Sequence, residues 1–144
     1  MEEALREAKE AAARGETPVG ALIYDPQSDQ ILAQDGNRTR ELKDPTAHAE
    51  CLVIRQACQS LNTERLEGLD LYVTLEPCPM CAGIIAQARV ARVYYGASDP
   101  KSGGIEQGPR LFSHPQSHHK PEVYSGINES EAAALLKDFF ASKR

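Results

Sequence analysis

The first part of the chain changes from a helical to a strand-like hydrophobic pattern. Residues 2–14 carry apolar residues at helical spacing, which predicts a short amphipathic helix that ends at Gly15. Two apolar runs follow at 19–24 and 31–33, and a turn that starts at Asp25 separates them. We therefore expect the helix to lead into a β-hairpin.

A second helical pattern extends from about Ala47 to Leu61. The residues Asp44, Pro45 and Thr46 precede it and are typical of a helix start. Its apolar positions at i, i+3, i+7 and i+10 predict one face that packs against a core. These positions are Cys51, Ile54, Cys58 and Leu61.

Strand-like and helical patterns alternate from residue 69 onward. Expected strands at 69–74 and 90–95 flank a helix at 81–88, which a turn at 77–80 introduces. Such alternation predicts parallel strands with right-handed crossovers, helices over the sheet, and a site at the carboxyl ends of the strands. We therefore expect a three-layer α/β domain.

The last third of the chain is less regular. Residues 96–121 are rich in Gly, Pro, Ser and His, and a segment this long without a pattern is typical of a functional or partly mobile loop. A short strand is expected at 122–124 and a final helix at 129–141, which ends near basic residues as its dipole favours.

Composition limits the class of protein. A length of 144 residues with 41% hydrophobic and 26% charged residues predicts a single globular domain over residues 1–144. No apolar run approaches the roughly 18 residues of a membrane span, and the charged amino terminus does not resemble a signal peptide. We expect a cytoplasmic protein that does not enter a membrane.

The net charge of −5 argues against nonspecific coating of nucleic acid, because a polyanion is repelled at long range. Local recognition of a nucleic acid remains open. Basic residues do collect in three places: Arg38, Arg40 and Lys43; His118, His119 and Lys120; Lys143 and Arg144. Composition alone favours the interpretation of these residues as scattered solvated charge.

Cys78 and Cys81 form the strongest chemical motif. Pro79 suits the first turn of a helix, where residues three apart share one side, so that both sulfurs can reach one metal ion. The free N–H groups of a helix start also favour the thiolates that bind zinc. Taken alone, the pair is equally compatible with a redox dithiol or part of a closed structural zinc site.

His48 and Glu50 extend this motif. If two helix starts meet at neighbouring strand ends, His48 joins the two cysteines around one zinc ion and leaves a fourth position for water. Glu50 can then move protons beside that water, although an acid in a first helical turn is also favoured by the dipole alone. The alternative is a closed site with Cys51 as fourth ligand, but Cys51 also fits the apolar face as a buried thiol.

The segments His48-Ala49-Glu50 and Pro77-Cys78-Pro79-Met80-Cys81 match the H-x-E and P-C-x-x-C signature of zinc deaminases. Together with residues 44–50, 71–83 and 95–101, they make nearly the whole chain resemble the bacterial tRNA adenosine deaminase family. The resemblance implies a cytidine-deaminase-like α/β/α domain with a mostly parallel, five-stranded mixed sheet.

The resemblance also implies an activity. The substrate would be the wobble adenosine of a tRNA anticodon stem-loop, converted to inosine by a zinc-activated water with Glu50 as the proton shuttle. The protein would be a homodimer with one zinc ion per subunit, held by His48, Cys78 and Cys81. Both subunits would contact the RNA.

Further positions match family residues near the substrate. Asn37 and the Ala49 backbone N–H match groups that contact the flipped base, and Asp99 and Lys101 match loop residues near the flanking nucleotides. The sequence departs from the family pattern at 102–109, where contacts are therefore open. Two more positions match residues near the RNA but are equally compatible with loop surface and core: His114 and Phe140.

Two other functions stay open. A deaminase of a free base or nucleoside would share the fold and the zinc motif, but the Asp99-Pro100-Lys101 rim and the basic tail favour RNA. A noncatalytic zinc-binding RNA module would lack the catalytic acid, which Glu50 argues against.

Overall fold

Helices and strands alternate along the chain in a computed structural model, which describes residues 1–143. Within these residues, the α-helices are α1 Glu2–Ala13, α2 Ala49–Leu61, α3 Pro79–Gln87 and α4 Glu129–Ser142. The strands are β1 Gly20–Asp25, β2 Gln30–Gly36, β3 Asp70–Leu75, β4 Arg92–Ala97 and β5 Glu122–Tyr124. Arg144, the last of the predicted basic residues, lies outside the described part.

The five strands form one sheet in the order β2-β1-β3-β4-β5. The hairpin makes β1 antiparallel to β2, and β1 is also antiparallel to β3, whereas β3 pairs in parallel with β4 and β4 with β5. Four of the five strands therefore run in one direction and β1 alone is reversed. The predicted mixed, mostly parallel sheet is confirmed.

Helices cover the sheet on both faces, which confirms the three-layer α/β/α class. The helices α1 and α4 contact each other and pack on one face, while α2 and α3 pack together on the other. The main core lies on the α2 and α3 side, because Ile23, Val53, Leu71, Ile85 and Val93 are buried there. This arrangement fixes α2 and α3 relative to the strand ends.

The helix boundaries differ from the sequence prediction at the starts of α2 and α3. The predicted start of α2 near Ala47 is wrong, because the Asp44 carboxylate accepts bonds from the backbone N–H and hydroxyl of Thr46 instead of capping a helix. Leu61 is 45% exposed, so the predicted apolar face ends before the last turn of α2. The helix α3 begins at Pro79 rather than at residue 81, since proline suits a first helical position.

The irregular segment after β4 packs against the domain. It contains a short 3-10 helix, Leu111–Ser113, and it buries Ile105 and Phe112 in the main core. Among the described residues, the longest apolar helices are still too short or too polar to cross a membrane.

Candidate metal centre and active site

His48 and Cys78 occupy equivalent positions, because each is the residue just before a helix. His48 precedes α2 and Cys78 precedes α3, and both have extended backbone angles with no side-chain bond to their own helix. Serine, threonine, aspartate and asparagine are more usual there, since their side chains bond the free N–H groups of the first turn. The imidazole and the thiol are therefore available for another role.

The two helix starts bring three metal-binding side chains together. The ligand atoms of His48, Cys78 and Cys81 all lie within 4.8 Å of one another. The His48 Nδ1 atom lies 3.7 Å from Cys78 Sγ and 3.4 Å from Cys81 Sγ. Tetrahedral zinc with its usual bond lengths to sulfur and nitrogen would separate such atoms by about 3.5 Å. This group could hold a metal ion, and its donors and spacing fit zinc.

The electrostatics of the site favour a thiolate at Cys78. Hydrogen bonds from Cys81 and His48 lower the pKa of the Cys78 thiol to about 4, although its partial burial opposes the shift. The same contact with Cys78 raises the pKa of His48. A negatively charged sulfur at a helix start is the form that binds zinc.

Cys51 lies next to this group without being part of it. Its Sγ atom is 3.7 Å from Cys81 Sγ, but it does not belong to the cluster whose ligand atoms all lie within 4.8 Å of one another. The residue is fully buried among the apolar side chains of α2. This geometry favours the interpretation of Cys51 as a buried thiol that contacts the possible ligand Cys81 without being a ligand itself.

Glu50 is a buried acid in the first turn of α2 and is also outside the cluster of possible ligands. Only 4% of its surface is exposed. Burial raises the pKa of its carboxyl, while its backbone hydrogen bond and the nearby His48 oppose the shift. An acid with a raised pKa beside a metal site is suited to accept and return protons.

A pocket of about 260 Å³ opens over these groups. Larger grooves, of about 530 and 600 Å³, lie along α3 and α2 and contain none of the three possible metal ligands. The residues that line the small pocket come from distant parts of the chain: Thr17, Val19, Asn37, Thr39, His48, Glu50, Leu75, Glu76, Cys78, Asp99 and Ser102.

The predicted substrate residue Asn37 lies in this pocket and is held from two sides. Its side-chain Oδ1 atom accepts a hydrogen bond from the backbone N–H of Ala49 at 2.9 Å. Its backbone carbonyl oxygen accepts one from the Arg14 guanidinium at 3.0 Å. The Ala49 amide is therefore engaged with Asn37 in this structure. The side-chain NH₂ group of Asn37 is the part of this pair that a ligand can use.

The other predicted substrate residues are more scattered. Asp99 lines the pocket, and its carboxylate accepts the backbone N–H groups of Lys101 and Ser102. Lys101 is exposed and lies between Asp99 and Ser102 in the chain, but it does not itself line the pocket. His114 is exposed and lines the groove along α3 instead. Phe140 is 51% exposed on α4, in edge contact with Phe139. The structure does not bring these last two to the pocket.

Sequence reasoning missed several residues that build the pocket. Thr17, Thr39 and Ser102 line it, but isolated hydroxyl residues in loops give no distinctive pattern. Two buried carboxylates, Glu16 and Glu76, were also missed. Glu76 could have been noticed, because an acid directly after an apolar strand and before Pro77-Cys78 is unusual there.

The three-layer fold with this pocket and metal-binding group defines the cytidine-deaminase-like class. The chain belongs to the MafB19-like deaminase family, whose family model matches residues 1–144, and within it to the bacterial tRNA-specific adenosine deaminases. The family resemblance expected from the sequence is thus confirmed.

The chain is similar to tRNA-specific adenosine deaminases and, at lower identity, to a guanine deaminase. The tRNA-specific adenosine deaminase of Agrobacterium fabrum is 57% identical over 144 residues, covering 100% of this chain and 93% of that protein. A solved structure from work on A-to-I editing by tRNA:A34 deaminases at the wobble position has a TM-score of 0.92 and 57% identity, covering 94% of this chain and 97% of that one. Guanine deaminase from Bacillus subtilis has a TM-score of 0.65 and 30% identity, covering 99% of this chain and 90% of that one.

Proposed function

We propose that the protein hydrolyses adenosine to inosine at the wobble position of a tRNA anticodon, with zinc at His48, Cys78 and Cys81. The observation that carries this proposal is a three-residue metal-binding group next to Glu50, a buried acid that is not among the ligands. The similarity to tRNA-specific adenosine deaminases over the whole chain supports the choice of substrate.

Glu50 is the proposed proton shuttle. A zinc ion held by His48, Cys78 and Cys81 would supply a water molecule whose pKa is lowered to about 7. Glu50 would accept a proton from that water and deliver it to N1 of the adenine while the water oxygen bonds to C6. A second proton goes to the departing amino group, so that adenosine and water give inosine and ammonia.

The rest of the pocket would bind one extruded base. Its volume of about 260 Å³ suits a single base that is taken out of the RNA stack. The Asn37 side chain is fixed by the Ala49 amide, so its NH₂ group is presented to the base at low entropic cost. Asp99 and Lys101 are proposed to contact the flanking nucleotides.

The substrate is tested with purified protein of known zinc content and a panel of anticodon stem-loops. We expect mass spectrometry to detect inosine at the wobble position of a stem-loop that carries adenosine there, and no reaction when adenosine lies only at other loop positions. Free adenosine, guanine and cytosine serve as the comparison. Turnover of a free base without turnover of any stem-loop would instead indicate a free-base deaminase, the function of the guanine deaminase from Bacillus subtilis.

We also propose that the chain acts as a homodimer, as its family resemblance implies. A groove between α2 and α3, lined by apolar residues such as Cys58 and Ile84 and by polar residues such as Arg55 and Gln59, offers a surface for this interface. Sedimentation equilibrium is expected to give twice the 15.8 kDa mass of the chain, and a monomer at micromolar concentration would contradict the proposal.

We propose a cytoplasmic location, since the proposed substrate is found there and no disulfide links any two of the four cysteines, as is usual in a reducing compartment. Cell fractionation tests it. The expectation that residues 1–144 form one domain stays a prediction.

A further inference from the structure

Two buried carboxylates bind loops that line the pocket, and neither takes part in the proposed chemistry. Glu16 follows α1 and Glu76 follows β3, and each is only 2% exposed. Burying a carboxylate is costly unless hydrogen bonds satisfy it. Both satisfy this requirement with groups from a loop that lines the pocket, which suggests a shared purpose.

Glu76 binds the loop at 98–107, which forms one wall. Its Oε1 atom accepts the Asp99 backbone N–H at 3.0 Å, and its Oε2 atom accepts those of Ile105, Glu106 and Gln107 at 3.2, 2.8 and 3.0 Å. The Glu76 carboxylate therefore binds backbone N–H groups at both ends of this loop.

The loop at 98–107 packs closely against the Glu76 carboxylate and against the start of α3. A Cβ atom on Gly103 would lie 2.6 Å from the carboxyl carbon of Glu76, and one on Gly104 would lie 2.6 Å from the backbone nitrogen of Pro79. The Gly104 N–H also bonds the Pro77 carbonyl at 2.8 Å. The departure from the family pattern at 102–109 thus includes two glycines that permit this close packing.

Glu16 has the same role for a second loop that lines the pocket, at 37–43. Its carboxylate accepts the backbone N–H of Arg40 at 3.2 Å and of Glu41 at 2.8 Å, and it lies 3.4 Å from the Thr39 hydroxyl. Asn37 and Thr39 of this loop line the pocket. Arg40 and Lys43 are exposed on it, where cations can meet phosphate groups.

We propose that Glu16 and Glu76 are positioning residues. Glu16 holds the loop at 37–43 and Glu76 holds the loop at 98–107, and the order of these two loops sets the affinity for the RNA substrate. This inference rests on the proposed function for its substrate. The carboxylates act through the loops, since Asn37 and Thr39 on one rim and Asp99 on the other would face the RNA. Charge-assisted bonds to several backbone groups are strong, so the rims are ordered before the substrate binds.

The first test replaces the charge while keeping the shape, in Glu76→Gln. The amide NH₂ must then face backbone N–H donors at one of the two oxygen positions, which releases that part of the loop. On an anticodon stem-loop we expect KM to rise about tenfold or more while kcat changes by less than about threefold. Hydrogen exchange should accelerate either at the Asp99 amide, which bonds one carboxylate oxygen, or at the amides of Ile105, Glu106 and Gln107, which bond the other, with zinc content unchanged.

Glu16→Gln provides the second, independent variant. It should raise KM by a similar factor and accelerate exchange at the amides of Arg40 and Glu41 only. Because the two loops have separate anchors, the effects on KM should multiply in the double variant. Asp70→Asn is the matched control: its buried carboxylate lies at the opposite end of β3 and bonds the Arg92 side chain at 2.6 Å, so KM should stay unchanged.

The outcomes separate this inference from the proposed function. An unchanged KM and unchanged loop exchange in both folded glutamine variants would overturn the positioning role, as would loss of zinc or a fall in kcat alone. If the wild-type protein deaminates no stem-loop, the proposed function fails instead. Loop exchange then still shows whether the carboxylates order the rims, and unchanged exchange overturns the inference there too.

Discussion

Replacing Glu50 with alanine is expected to lower kcat for stem-loop deamination by about 10²–10⁴-fold, the usual contribution of a positioned acid–base group. The carboxyl is buried beside the possible metal ligands but is not one of them. The variant should therefore keep one zinc ion per chain and still bind RNA. Single-turnover kinetics with measured zinc content and stem-loop affinity tests all three expectations together.

Two further variants separate proton transfer from other effects of Glu50. Glu50→Gln keeps the shape and removes the titratable group, so it should be nearly as inactive as the alanine variant. Glu129→Ala removes an exposed acid from the first turn of α4, which packs on the face of the sheet opposite α2 and α3, and should keep full turnover. Activity of Glu50→Ala within a few fold of wild type would remove the proposed role and leave only the helix-dipole interpretation of this acid.

The fold could largely be predicted because its core elements have clear patterns. Apolar runs around Ile23, Leu71 and Val93 became the buried central strands, and the alternation of strand and helix gave the parallel half of the sheet. Errors occurred at helix starts, where His48 and Cys78 replace the usual capping residues. A residue that is placed for chemistry removes the capping signal that a sequence pattern would otherwise show.

The centre of the candidate site could also be predicted, while its walls could not. His48, Glu50, Cys78 and Cys81 have short spacings that reflect two helix starts, and the structure brings them together. The rims depend on contacts between distant parts of the chain. Glu16 bonds an amide 25 residues away in the chain, and Glu76 bonds amides 23 to 31 residues away. Because every residue type except proline has a backbone N–H group, such partners cannot be recognised from the sequence.

The second large effect is expected for Cys81→Ala, which should lose most of its zinc and all measurable deamination. A catalytic zinc site has three protein ligands, so removal of one leaves a pair that binds the ion weakly. The helix should tolerate the change, because Cys81 lies in the first turns of α3 and alanine is a good helix former. Zinc per chain by mass spectrometry, with circular dichroism as the folding check, measures the result.

Cys51→Ala is the matched control, since it removes another fully buried thiol 3.7 Å from the same sulfur. Its contact with Cys81 is a weak sulfur hydrogen bond, so loss of it should reduce zinc affinity by no more than about tenfold and keep one ion per chain. Competition with a chelator measures that affinity. Loss of stoichiometric zinc in Cys51→Ala would establish a closed four-ligand site, and a closed site has no position for the water that Glu50 is proposed to deprotonate.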